Sequence, residues 1–213
     1  MSDLCVIGDV HGEMHLLERL LEKVPSNTKL IFVGDLVNRG PSSRDVLDFV
    51  GDLIRKGSAQ VVMGNHERAL LSFLEHGDFV EFAHHGGAAT IRSYVGQARA
   101  DVHQHFIESF PKDHEELIRG FLPIFESDNL VVAHHPVDPS QNVLTYKEDL
   151  HIPSYSEYRS SIDQGKYIVY GHFPQRQVTC RGRSIYLDTG CGYGGGLSCL
   201  FWPERNVLTV SDV

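Results

Sequence analysis

Four apolar runs of strand length each break off into a glycine and a ligand-bearing side chain: Gly8-Asp9-Val10-His11-Gly12, Gly34-Asp35-Leu36-Val37-Asn38-Arg39-Gly40, Gly64-Asn65-His66-Glu67 and Gly171-His172-Phe173-Pro174. Side chains so placed emerge at the carboxyl ends of neighbouring strands, where open sheets carry their sites. Any one of these segments alone reads as a strand-ending turn beside a surface histidine. Together, in order and each glycine-flanked, they read as a metal centre.

The residue types suit two divalent ions about 3.5–4 Å apart, which need a bridging carboxylate and mixed oxygen and imidazole ligands rather than thiolates. Asp35 is the natural bridge. Asp9 and His11 stand two residues apart, so an extended segment points both to one side, where they serve a first ion together with Asp35. Asn65 offers a neutral carbonyl oxygen to the second. His134, closing the apolar run Leu130-Val131-Val132-Ala133, and His172 complete that second ion. His135 follows directly, which leaves open which of the pair is the ligand; the distance to Pro139 favours His134.

At these residues the chain resembles the phosphoprotein phosphatase family, whose signature is Gly-Asp-x-His-Gly, Gly-Asp-x-Val-Asp-Arg-Gly and Gly-Asn-His-Glu, and the related symmetrical dinucleoside tetraphosphatases. The resemblance runs from Asp3 to about Gly195, is dense in the first third, and returns at His134, Arg159, Gly171 to Pro174 and Leu187-Asp188-Thr189-Gly190. It implies a calcineurin-like αββα sandwich of two mixed sheets with a helical cap insertion at about residues 76–122, in a single domain. It makes Asp9, His11, Asp35, Asn65, His134 and His172 metal ligands, Arg39 and Arg159 a phosphate clamp, and His66 the general acid. A planar guanidinium fits that clamp because it offers paired donors and stays charged. Arg159 lies in a helical-looking stretch, where an exposed arginine is equally ordinary.

Two departures from the family pattern matter. Its Asp in the second motif is Asn38 here, and that Asp orients the histidine matching His66 and favours its protonated form. An amide supplies no charge, so the acid is weakened, and the step affected is leaving-group protonation. A serine alkoxide needs that proton; a nucleotide phosphate leaving an anhydride needs it little. Asn38 therefore tilts the reading towards phosphoanhydrides, and the tetraphosphatase relatives also lack Asp there. Gly-Asn-His-Glu and Gly-His-x-Pro, by contrast, look more like the protein phosphatases. The second departure is His135-Pro136 after His134, where relatives tend to carry small residues.

The rest of the chain supplies a frame for these motifs. Strands at Leu4–Gly8, Leu30–Val33 and Val61–Met63 alternate with helices around Leu16–Val24, after Pro41-Ser42 and over Glu67–Leu74, which implies a mostly parallel sheet with right-handed crossovers. Helical patches at Ala88–Val95, Val102–Phe110 and His114–Phe121 follow, read as a cap or as padding outside the sheet. His84-His85-Gly86-Gly87 lies among them, its glycines permitting close approach to a phosphate. Short strands at Tyr167–Tyr170, Gln177–Cys180, Ser184–Leu187, Leu197–Trp202 and Val207–Val210 predict hairpins in a second sheet. Gly192-Tyr193-Gly194-Gly195-Gly196 has no following helix or Lys-Ser/Thr, and reads as a flexible loop near the site rather than a nucleotide cradle.

Composition excludes more than it assigns. The 213 residues suffice for one domain with a sizeable core, and a net charge of −9 argues against a nucleic-acid duplex as partner. The start Met1 to Cys5 has no basic segment before a long apolar stretch, and no run reaches membrane-spanning length, so a cytoplasmic protein without a membrane partner is expected. Cys5, Cys180, Cys191 and Cys199 form no Cys-x-x-Cys pair, and buried reduced thiols are the expectation.

These readings predict a hydrolase of phosphorylated substrates with two divalent ions, manganese first and iron or zinc as substitutes, working by direct attack of a metal-bound hydroxide. A phosphatase of the serine/threonine protein phosphatase type, acting on phosphomonoesters, leads. A hydrolase of diadenosine tetraphosphate or other nucleotide anhydrides is nearly even with it. A metal-binding pseudophosphatase disabled by Asn38 is a weaker third, because metal-driven hydrolysis survives a poorer general acid.

Overall fold

Alternation in the first third becomes a parallel ladder. The computed structural model describes residues 4–96, 101–135 and 165–212, and in it β1 (Leu4–Ile7) pairs in parallel with β2 (Lys29–Phe32), and β2 with β3 (Ala59–Val61). Between them run α1 (Met14–Leu21), burying Leu16, Leu17 and Leu20, and α2 (Ser43–Arg55), burying Val46, Leu47 and Val50. That spacing of three and four residues is one helical face. After β3 come α3 (Asn65–His76), α4 (Phe79–His84), α5 (Gly87–Val95), α6 (Val102–Ser109) and α7 (Lys112–Arg119). Phe73, Phe82, Tyr94, Phe106 and Ile118 of these helices share one buried cluster with Ile7 and Phe32 of the sheet.

The second half departs from the expected sheet membership. β4 (Phe125–Glu126), β5 (Leu130–Ala133), β6 (Tyr167–Tyr170), β7 (Thr179–Arg181) and β8 (Ser184–Tyr186) form the second sheet in the order β4-β5-β6-β8-β7. The hairpin of β9 (Leu197–Trp202) and β10 (Asn206–Val210) instead joins the first sheet, with β9 antiparallel to β1. β9 is buried on both faces: Leu197 and Cys199 face the helices, while Leu200 and Trp202 enter the core between the sheets with Val6, Ile31, Val132 and Val169. A strand apolar on both faces belongs in mid-sheet, beside β1, rather than at an edge. The result is the expected pair of mixed sheets.

Three of the four thiols are buried as expected, whereas Cys180 on β7 is exposed. Among the described residues no helix is long and apolar enough to cross a membrane.

Candidate metal centre and phosphate site

The loops after β1, β2 and β6 turn sharply, and that is what brings their polar side chains together. His11, Asp35, Asn38, Arg39 and His172 all have positive φ, between 48° and 73°. Five non-glycine residues held in the left-handed region mark a place where surrounding contacts override local preference. The segment Asp9-Val10-His11 is therefore not extended, as the sequence suggested, but turned at His11; the backbone N–H groups of Val10 and His11 both donate to the Asp35 carbonyl, at 3.1 and 2.8 Å. Close approach sets the glycines here. A Cβ on Gly64 would collide with Asp35 Oδ1, and one on Gly171 with Asp9 Oδ1.

Asp35 Oδ2 is the hub. His134 Nε2 lies 3.2 Å from it, His66 Nε2 3.7 Å and His11 Nε2 3.8 Å, all buried. Asn65 Oδ1 sits 3.0 Å from His134 Nε2 and 2.9 Å from His172 Nδ1. Asp9 Oδ2 accepts from the His172 backbone N–H at 3.1 Å, while Asp9 Oδ1 is buried with no hydrogen-bond partner among the described residues. All six side chains expected as ligands thus lie in one cluster. Of the histidine pair, His134 is the one that faces Asp35; His135 packs against the His172 ring at 4.1 Å between centroids.

The donor set fits divalent cations. His11 and His134 donate their Nδ1–H groups to the Val37 and Val33 carbonyls, at 3.0 and 2.9 Å, which turns each Nε2 inward, as the atom left to meet a cation. Burial lowers the pKa of His11 to about 4 and, with repulsion from His134, that of His172 to about 4, so both imidazoles are neutral at pH 7. Burial pushes Asp35 up, but the imidazoles of His134, His66 and His11 outweigh it and hold the carboxyl well below its usual range. Burial alone would lower His134; Asp35, Asp9 and Glu67 reverse that and raise it to about 9. A cation satisfies this surplus of negative charge, and the orphan oxygen of Asp9, as a proton on His134 otherwise does.

A chain of hydrogen bonds orients His66. The Asn38 backbone N–H donates to Ser43 Oγ at 3.1 Å and to Thr90 Oγ1 at 2.9 Å. The Thr90 hydroxyl donates to Asn38 Oδ1 at 2.7 Å, which leaves Asn38 Nδ2 facing His66 Nδ1 at 3.0 Å. An amide N–H pointed at Nδ1 requires a lone pair there, so the ring proton sits on Nε2, towards Asp35. Burial depresses the His66 pKa to about 2. His66 is a neutral N–H donor here, not an imidazolium. The His84 to Gly87 segment contributes at one remove: the Gly86 carbonyl accepts the Arg39 backbone N–H at 3.2 Å, and the His85 ring lies 5.1 Å from that of His66.

Glu67, quoted in a motif but given no role from sequence, anchors the loop that carries Asp35. Its buried carboxylate accepts from the backbone N–H groups of Asp35, Leu36, Val37 and Gly64, at 2.7 to 3.2 Å. The signal was present as a glutamate three residues past the helix-capping position. Thr90 had no signal, since nothing local ties a helical threonine to Asn38, 52 residues earlier.

Arg39 Nη1 donates to His11 Nε2, and its guanidinium carbon lies 4.2 Å from the centroid of the Tyr193 ring. The arginine thus reaches the cluster of expected ligands. Arg39→Lys keeps the charge and loses the fork, so the affinity for inorganic phosphate as a competitive inhibitor is expected to fall about tenfold with metal content unchanged. Inhibition equal to wild type would show that Arg39 does not face the phosphate. Arg159, the other arginine expected in the clamp, lies outside the described residues. Gly192 to Gly196, expected as a flexible loop, is tied down by hydrogen bonds from Tyr193 N and Gly195 N to the Gly190 carbonyl at 2.8 and 2.9 Å.

Comparison with known proteins finds likenesses along nearly the whole chain. The family profile of the calcineurin-like phosphoesterases matches residues 3–176. The asymmetrical bis(5'-nucleosyl)-tetraphosphatase PrpE of Geobacillus thermodenitrificans is 28% identical over 241 residues, covering 96% of this chain and 92% of its own. PrpE of Bacillus subtilis is 29% identical over 231 residues, covering 96% and 93%. A crystal structure of a candidate diadenosine tetraphosphatase superimposes with a TM-score of 0.68 at 25% identity, over 99% of this chain and 93% of the other. The cold-active protein-tyrosine phosphatase of a psychrophile Shewanella shares the fold, with a TM-score of 0.63 at 15% identity over 99% and 81%.

Proposed function

Since the chain belongs to the calcineurin-like phosphoesterase family, it is a metal-dependent phosphoric ester hydrolase, and we propose that it acts on dinucleoside polyphosphates, cleaving a phosphoanhydride bond. The observation that carries this reading is the amide of Asn38 against His66 Nδ1, 3.0 Å away, where a charged partner would be needed to hold an imidazolium. A neutral His66 can donate a hydrogen bond from Nε2 to a departing phosphate oxygen but is a poor source of a whole proton. Anhydride leaving groups need only the former. The similarity to tetraphosphatases over 96% of the chain supports the same substrate class.

In this reading Asp9, His11 and Asp35 would hold one ion and Asn65, His134 and His172, with Asp35, a second, manganese being the metal that oxygen, amide and imidazole donors suit. When bound, the ions supply Lewis acidity towards phosphoryl oxygens and lower the pKa of water to about 7. Arg39 grips the non-bridging oxygens and aligns the phosphoryl group for in-line displacement, while His66 Nε2–H meets the leaving oxygen. The reading that led from the sequence, a phosphatase of the serine/threonine type, drew on Gly64 to Glu67 and Gly171 to Pro174. In the fold Glu67 holds backbone N–H groups and Gly171 makes room for Asp9. Both build the metal centre, whatever the substrate, and so do not favour a phosphoprotein.

Asn38→Asp tests the argument. A carboxylate accepting from His66 Nδ1–H restores the charged partner, so turnover on alkyl phosphates and phosphoserine peptides is expected to rise about tenfold or more, with diadenosine tetraphosphate and para-nitrophenyl phosphate changing far less. The slope of log rate against leaving-group pKa becomes shallower in the variant. Parallel slopes would remove Asn38 from proton delivery, and a wild-type enzyme preferring phosphoserine peptides to diadenosine tetraphosphate would overturn the substrate class.

A further inference from the structure

Among the exposed large apolar and aromatic side chains described, Tyr193 is the most exposed, at 65%, yet its backbone is held by a hydrogen bond to the Gly190 carbonyl. The loop closes by pairing Gly190 with Gly196, makes a short 3-10 turn at Cys191–Tyr193, and is stapled to the loop after β1 by the Cys191 thiol, 3.5 Å from the Val10 carbonyl. Gly192 lies so close to His11 that a Cβ there would stand 2.7 Å from the His11 Cβ. A ring of this size is normally covered, because hiding it from water is favourable. Here the fold spends its hydrogen bonds on holding the ring in solvent, beside the metal ligands.

The ring also has a defined neighbour. The centroid of its ring lies 4.2 Å from the carbon of the Arg39 guanidinium, the group that grips the phosphoryl oxygens in the reading given above. A nucleoside joined to a phosphate held by Arg39 extends towards this ring, and a nucleobase gains by stacking on an aromatic face already fixed in place. We propose that Tyr193 is a specificity-determining residue that binds a nucleobase of the substrate, making the enzyme select nucleoside-bearing polyphosphates over bare ones. This rests on the dinucleotide reading given above.

The test compares wild type, Tyr193→Phe and Tyr193→Ala, manganese-loaded, on diadenosine tetraphosphate and on inorganic tripolyphosphate, which offers the same anhydride without a base. Calorimetry of AMP and of inorganic phosphate binding to the same proteins gives a readout independent of turnover. Tyr193→Ala is expected to lower kcat/KM for the dinucleotide, and affinity for AMP, about tenfold more than the corresponding values for tripolyphosphate and phosphate, and Tyr193→Phe to behave as wild type. Equal losses on both substrates would assign the ring to holding Arg39 and overturn the proposal, as would no loss on either. If wild type cleaves neither anhydride, the substrate reading has failed by itself; the AMP-to-phosphate affinity ratio then still decides the role of Tyr193, an unchanged ratio in Tyr193→Ala overturning it.

Discussion

Asp35→Asn is expected to lower turnover on every phosphorylated substrate by at least about a hundredfold and to leave fewer than two divalent ions per chain. The substitution is selective in what it removes. An asparagine can keep Oδ1 as acceptor for the His66 backbone N–H, now 3.0 Å away, so the loop retains its shape. The other oxygen, Oδ2, becomes an N–H donor facing three imidazole Nε2 atoms at 3.2 to 3.8 Å. It can neither bridge two cations nor carry the charge that attracts them. Metal analysis by mass spectrometry and turnover measured over a range of manganese concentrations check this. Wild-type turnover with a full complement of two ions would remove Asp35 from the bridge.

The convergence of the six side chains expected as ligands was legible because each follows an apolar run, and strand ends are a local signal that sheet topology then gathers into one cluster. How the side chains converge was not. The turn at His11, with φ of 48°, is held by hydrogen bonds to Asp35, a residue in the loop after another strand. Sheet membership failed for the same reason: the pattern of Leu197–Trp202 announces a strand, but only its pairing with Leu4–Ile7 places it in the first sheet. Helix α4 escaped notice because six residues are too few to show a period. The Thr90–Asn38 contact, which turns the amide towards His66, joins a helix to a loop through tertiary packing alone. Substrate choice thus rests on a contact invisible in the sequence, although Asn38 itself pointed to the right question.

Glu67→Gln is expected to destabilise the protein by about 3 kcal/mol although size and shape hardly change. The wild-type carboxylate divides its work evenly. One oxygen accepts from Leu36 and Val37 at 2.7 and 3.2 Å, the other from Asp35 and Gly64 at 2.8 and 3.1 Å, in a site with no solvent exposure. A glutamine keeps one acceptor and turns an NH₂ group on the other pair, so that donors meet donors and two buried backbone N–H groups lose their partners. Each such group costs about 1–3 kcal/mol. In a domain of this size the loss corresponds to a Tm lower by about 6–12 °C, measured by calorimetry on the metal-free protein. The Asp35 loop loosens with it, so manganese affinity falls about tenfold to a hundredfold while every ligand remains present. Excess manganese therefore restores most of the activity of Glu67→Gln, and restores none in Asp35→Asn. An unchanged Tm together with unchanged metal affinity would mean that the Asp35 loop keeps its left-handed turn without this carboxylate, and the strain at Asp35 would need another support.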